Sequence, residues 1–173
     1  MAVLDLQVGA SSDDCVRRLT SSNWWLANTS QLAGADGASL YQYGGGMRFL
    51  NVTIPQGATI NTAYLTLRAR AATSANTVNS RISAEKQDNP ATFADDAAAF
   101  DTRWANRTTA RVDWDNIPAW TADIDYNSPS IVSVIQEIVN RAGWSSGNAI
   151  VIFWEDFDDR STHANYCYRQ AHS

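Results

Sequence analysis

Eighteen carboxylates in 173 residues offer the first material for acid–base or metal chemistry, and they fall in short groups: Asp13-Asp14, Asp95-Asp96, Asp113 with Asp115, Asp123 with Asp125, and Glu155-Asp156 with Asp158-Asp159. Paired carboxyls hydrolyse glycosides when a fold holds them about 5 to 9.5 Å apart across a cleft. Clustered carboxylate oxygens also bind calcium. Asp156-Phe157-Asp158 has the alternation of a calcium loop but lacks the glycine and distal glutamate of an EF-hand, so solvated loop charge is the plainer reading. Asp156 and Asp158 are nevertheless the residues that would hold a structural calcium. His163 and His172 are the only histidines and stand in no HExxH, HxE or triad context; nucleophile-elbow and P-loop patterns are also missing. No catalytic constellation emerges, and the expectation is a protein that is not an enzyme.

Seven tryptophans are the second resource, because the apolar face of a sugar packs on an aromatic ring. Trp24 and Trp25 are adjacent in a strand-like segment and must face opposite ways, so one of them reaches the surface. Trp114 and Trp154 lie in strands and belong in a core, while Trp104, Trp120 and Trp144 fall in loops or turns. Packing is the ordinary fate of any one tryptophan; Trp25 and Trp104 are the candidates for a ligand-binding surface. Cys15 and Cys167 sit in strand-like segments near the two ends. If those strands are neighbours, a disulfide would close most of the chain and contribute about 4–5 kcal/mol. Two buried free thiols are the other reading, and without CxxC spacing no zinc or thioredoxin-like site is expected.

The elements that would position these residues are mostly strands. Ala63, Leu65, Leu67 and Ala69 alternate with Tyr64, Thr66, Arg68 and Arg70, the pattern of a half-buried antiparallel strand, and Pro55-Gln56-Gly57 turns the chain ahead of it. In Met47–Ile54 the parity slips, which implies a bulge or a strand covered on both sides. Further strand patterns cover 4–8, 15–19, 24–26, 39–43, 78–85, 108–114, 149–154 and 164–169; Ala149–Trp154 is apolar throughout and reads as a central strand. Gly44-Gly45-Gly46 reads as a turn that breaks the chain before Met47, since no helix start or Lys-Ser/Thr follows to make a nucleotide site.

One amphipathic helix is predicted, with Ser128 as N-cap, Pro129 in the first helical position and Ile131, Val134, Ile135, Ile138 and Ala142 as its apolar stripe. Glu137 and Arg141 are spaced to pair, and Gly143 is placed to end the helix. Gln87–Arg107 reads as a helical turn or long ordered loop outside the strand layers. Many short strands of this kind imply a mostly β, antiparallel sandwich with one helix packed on it, a single domain over residues 1–173.

A net charge of −5 argues against nucleic acid as partner. No stretch is long and apolar enough to span a membrane, and Met1–Val8 lacks the basic and apolar regions of a signal peptide. A trimmed secreted module, or a protein released by a route such as cell lysis, fits both observations. Twelve of the thirteen basic residues are arginine, either a compositional bias or a sign of planar, bidentate contacts.

Several blocks together resemble a family. They are Arg48-Phe49 through Ile54-Pro55-Gln56-Gly57-Ala58-Thr59-Ile60, Ala63-Tyr64-Leu65, Val112-Asp113-Trp114 with Ile117-Pro118-Ala119-Trp120, and Ser128-Pro129 leading into Ile135–Trp144 and Ser146–Ala149. Over roughly Asp13–Arg169 the chain is similar to jelly-roll β-sandwich modules of the DNRLRE and carbohydrate-binding type. The resemblance implies a jelly roll. It also implies a role as a structural or adhesion component of a virion or extracellular assembly, such as a capsid decoration or tail, acting by surface contact with protein or glycan. The alternative it implies is a carbohydrate-binding module of a secreted polysaccharide-active enzyme. Such modules continue past the strand matching Ala164–Arg169, whereas Gln170-Ala171-His172-Ser173 closes this sequence. An edge left open there would invite strand addition by a partner or a homo-oligomer, unless Leu4–Val8 fills it or the chain was trimmed.

Overall fold

The longest strand runs straight through the glycine run. In the computed structural model, which describes residues 3–19, 21, 23–37, 41–72 and 76–173, β4 spans Tyr41–Phe49 without a break at Gly44-Gly45-Gly46. The turn expected there does not exist, and the reason is crowding. A Cβ on Gly44 would lie 2.7 Å from Phe157 Cζ, one on Gly45 would overlap the Cys15 carbonyl oxygen and sit 2.5 Å from Gln31 Oε1, and one on Gly46 would sit 2.5 Å from Phe93 Cζ. Only a bare backbone fits between these neighbours. The expected strand at 39–43 is thus the start of β4; its Ser39 and Leu40 lie outside the described residues.

Around β4 the antiparallel sheet assembles from β1 (Asp14–Arg18), β2 (Trp24–Leu26), β3 (Ser30–Asp36), β6 (Val78–Ala84), β7 (Val112–Ile117), β9 (Ile150–Glu155) and β10 (Cys167–His172). Its order is β10-β3-β4-β9-β6-β7, with β1 between β4 and β2. Tyr43 pairs with Arg18 of β1 and Gly34 of β3, whereas Gly44 pairs with Arg17 of β1 and Glu155 of β9. One edge of β4 therefore belongs to β1, and the other passes from β3 to β9 within a single residue. Beyond that point β3 leaves β4 and crosses over β9 and β6, where Ala33, Cys167 and Ala171 join Met47, Ile82, Ile152 and Trp154 in one apolar cluster. A smaller sheet of β5 (Thr66–Arg68) and β8 (Asp125–Asn127) adds Leu65, Leu67 and Ala69 to the same core. Among the described residues the protein is mostly β and antiparallel with two α-helices; the pairings by themselves do not define a jelly-roll winding.

Central position explains β9, every residue of which is buried. Ile150, Ile152 and Trp154 face the main core, while Val151 and Phe153 face a second cluster with Phe93, Phe100 and Phe157. That second cluster is roofed by α1 (Ala97–Ala105), from the segment expected outside the strand layers. Asp96 caps it, its Oδ1 accepting from the Ala98 amide at 2.8 Å, and four alanines favour the helix. Two forks hold α1 down: Arg17 meets both oxygens of Asp101 at 3.0 Å, and Arg103 donates twice to Glu85 Oε2.

The second helix, α2 (Val132–Val139), carries the predicted apolar stripe but begins later than predicted. Ser128 is not its cap: its hydroxyl accepts from the Leu65 amide and donates to the Pro129 carbonyl, tying the chain to the β5 side. Glu137 and Arg141 do not pair with each other. Glu137 accepts from the Thr109 and Ala110 amides, and Arg141 binds Asp88. Gly143 ends no helix; a Cβ there would lie 2.8 Å from Asp88 Cγ, so the glycine makes room for that ion pair.

Residues 4–8 form no strand, although Leu6 and Val8 pack on the core. The parity slip after Met47 comes from strand termination at Phe49 and a left-handed Asn51 (φ 55°). At the far end, β10 runs to His172, pairs with β3 on one edge, and meets Ala69 and Arg70 on the other through Arg70 N–H to the Gln170 carbonyl at 2.9 Å.

Gly45→Ala forces a methyl into the Cys15 carbonyl oxygen, which cannot swing away as a side-chain tip can. We expect it to destabilise the fold by about 3 kcal/mol or more in urea melts, at or beyond the usual cost of overpacking. Gly9→Ala, where a Cβ would meet nothing within 4 Å, stays within about 0.5 kcal/mol of wild type.

Candidate functional site

The side of β4 that is bare at Gly45 carries aromatic rings at Tyr41 and Tyr43, before β3 begins its crossing. Register places Arg18 beside Tyr43 and Trp25 beside Val16, on that same side. Across β3 it places Tyr168 beside Gly34, which itself pairs with Tyr43. Gly34 has φ 127°, and a Cβ on it would lie 2.6 Å from Tyr168 Cα. Its missing side chain lets the Tyr43 and Tyr168 rings meet above it, edge to face at 5.6 Å. Tyr166 continues the row, its ring 6.3 Å from that of Tyr168. At the other end the Arg18 guanidinium stacks 4.1 Å from the Tyr41 ring and 6.0 Å from that of Trp25. The result is a band of Trp25, Arg18, Tyr41, Tyr43, Tyr168 and Tyr166 across five strands or their ends.

This band faces outward. Trp25 is 37% exposed and Tyr166 64%, with the other four half-buried. Tyr166 keeps its ring out at some local cost, since it sits at φ 58°, held by its amide donating to Asp36 Oδ1 at 2.7 Å. Burial raises the Tyr168 hydroxyl above its ordinary value, helped by nearby Asp36, so the phenol stays a neutral donor. Part of the packing is structural: rings laid over Gly34 shield a backbone that would otherwise be bare. A row of rings with phenol and guanidinium edges is also what stacks on sugar faces and hydrogen-bonds their hydroxyls.

The tryptophans singled out by sequence go to opposite sides. Trp25 lies in the band. Trp24 turns to the α1 side, 5.3 Å from Phe100, with its indole N–H on Asp95. Trp104 lies on α1, half-buried, packed edge-on against Phe157 at 5.3 Å and covered by the Arg107 guanidinium at 3.8 Å. Trp114 and Trp154 are core residues as expected, and so are Trp120 and Trp144.

Asp156 and Asp158 do not converge. Asp156 is fully buried and its two oxygens accept from the Arg160 and Ser161 amides, closing the 156–161 loop, while Asp158 pairs with Arg81. Among the described residues no group of three metal-ligating side chains comes together. The Cys15–Cys167 bridge does not form. Both thiols are free and buried, because β1 pairs with β2 and β4 while β10 pairs with β3, and the two side chains belong to different apolar clusters. Burial raises both thiols above their ordinary value, so neither is poised as a nucleophile.

A carboxyl that stands out electrostatically is Glu155. It is fully buried below Trp104, and burial pushes it up to about 7 even though its Oε2 accepts from the Phe157 amide at 2.6 Å. A raised carboxyl is the mark of a general acid, and this one is fully buried, with Asp158 raising it further and the Arg107 guanidinium opposing. A shallow groove of about 350 Å³ between loop 85–94 and α1 is lined by Thr92, Phe93, Phe100 and Arg103, whose guanidinium is already bound to Glu85. No protein-family model matches this sequence, and no curated protein matches it.

The tyrosines were legible in principle: Tyr41-x-Tyr43 and Tyr166-x-Tyr168 each place two rings on one side of a strand. What sequence does not show is that Gly34 brings the two pairs together.

Because Glu155 binds its proton more tightly folded than unfolded, its contribution to stability is full below about pH 4.5 and is lost as pH rises to about 7. Between pH 4.5 and 8 the wild type should lose roughly 3 kcal/mol more than Glu155→Gln, which keeps an acceptor for Phe157 without the charge. Urea melts at pH 4.5, 6 and 8 measure this, and parallel profiles would contradict it.

Proposed function

We propose that this protein is a non-enzymatic structural or adhesion module that works by surface contact, gripping glycan on the Trp25–Tyr166 band. The observation that carries the reading is the band itself: six side chains from separate parts of the chain, assembled on one outward side and held by a glycine that lets rings touch. Display on a virion or extracellular assembly follows from the resemblance to jelly-roll modules of that kind. The same band supports a second reading, a carbohydrate-binding module belonging to a secreted polysaccharide-active enzyme. A hydrolase encoded in the same reading frame would favour the second reading, and co-purification with assembled particles the first. Strand addition is the less supported mode of contact, since Arg70 already occupies part of the outer edge of β10.

A glycan array followed by calorimetry on the best ligand tests the shared premise. Tyr166→Ala and Trp25→Ala should each weaken binding about 10-fold, about 1.4 kcal/mol. Trp104→Ala, on the α1 side, should leave affinity unchanged. Failure of the wild type to bind any glycan, or equal loss in all three variants, would overturn the reading.

A further inference from the structure

Arginine in this protein is mostly committed. Arg17, Arg48, Arg68, Arg81, Arg103, Arg141 and Arg160 each hold a carboxylate, and Arg169 is buried on backbone carbonyls. Arg18 differs. Its Nε donates to Ser21 Oγ at 2.8 Å, its plane stacks on Tyr41, and among the described residues neither terminal nitrogen meets an acceptor. Asp36, on the same side as Tyr41 by register, accepts instead from the Tyr166 amide and makes no ion pair with Arg18. A stacked guanidinium keeps its N–H groups in the plane of the fork, where a carboxylate is bound through two parallel hydrogen bonds.

We infer that the band selects an acidic sugar, a uronate or sialate residue whose ring stacks on the tyrosines and Trp25 while its carboxylate is held by Arg18. This deepens the glycan reading and rests on it. The two parts of the site divide the labour: rings accept any pyranose face, whereas the unpaired fork discriminates by charge. The net charge of −5 repels polyanions at long range, so the preference comes from one contact and not from a basic surface. It should accordingly weaken little with salt compared with binding by a polybasic patch.

The probe is a panel of uronate- and sialate-containing oligosaccharides, each paired with its methyl ester, which keeps the shape and removes the charge. Free acids should bind at least 10-fold tighter than esters, Arg18→Gln should erase the difference, and Arg18→Lys should restore part of it. Thermal melts of both variants establish that they are folded. Equal binding of acids and esters, binding of neutral or sulfated glycans alone, or a preference that survives Arg18→Gln would overturn the Arg18 inference while leaving the aromatic band as the site. Absence of binding by any glycan would overturn both.

Discussion

Three consecutive residues without side chains are the constraint on which this architecture turns. Gly44, Gly45 and Gly46 are paired on both edges, with β1 on one side and β9 on the other, and are pressed from both faces as well. Phe157 and Phe93 come down on Gly44 and Gly46 from the α1 side, and Gln31 comes over Gly45 from the β3 side. Glycine in a strand ordinarily weakens it, because backbone entropy is lost and nothing packs. Here close approach of four neighbouring segments offsets that loss, and any side chain would push at least one of them away.

The crowding also decides where the outside of the protein begins. Up to Tyr43, β3 lies beside β4 and the upper side of the strand is open, so Tyr41 and Tyr43 can present rings. One residue later β9 takes that edge and β3 passes overhead, so the same side of β4 becomes interior at Gly45 and Met47. Outer surface and core are thus consecutive stretches of one strand side, separated by the step at which β3 is exchanged for β9. The aromatic band sits at this step; all its members but Tyr166, in the turn before β10, are on paired strands, so they are held by neighbours fixed through the sheet.

Much of this was legible in the residues themselves. Alternation in Ala63–Ala69 gave the buried Leu65 and Leu67, unbroken apolarity in Ala149–Trp154 gave the doubly covered strand, and adjacency of Trp24 and Trp25 gave one ring on each side. Local chemistry failed where long-range packing overrides it. A glycine triplet reads as a break because nothing nearby in sequence says that Phe93, Phe157 and Gln31 will need its space. Ser128-Pro129 has the composition of a helix cap, yet the Ser128 hydroxyl is claimed by Leu65, 63 residues away. Glu137 and Arg141 have the spacing of a pair, but two orphan amides and Asp88 offer each a better partner. The candidate site was half visible for the same reason: two Tyr-x-Tyr motifs are local, while their meeting over Gly34 is not.

The arginine excess finds its physical meaning in the same packing. Buried or half-buried cations need several donors satisfied at once, and the planar fork does this with less side-chain ordering per bond than an ammonium. Arg17 clamps Asp101 of α1 with two parallel bonds while its other nitrogen reaches backbone carbonyls. Arg169, fully buried, binds the carbonyls of Pro118, Asn76 and Ile117, joining β10 to the end of β7 without any carboxylate, and burial lowers its proton affinity accordingly. Lysine could not supply these contacts in fixed directions. In Arg17 and Arg169, then, the fork is matched to oxygens already placed by the fold. Adjacent in sequence to Arg17 but on the opposite side of β1, Arg18 lies over the Tyr41 ring and donates to the Ser21 hydroxyl through Nε. The two neighbours thus differ in which side of one strand the guanidinium takes: Arg17 is met by oxygens of the fold on every side of its fork, and Arg18, among the described residues, only at Nε.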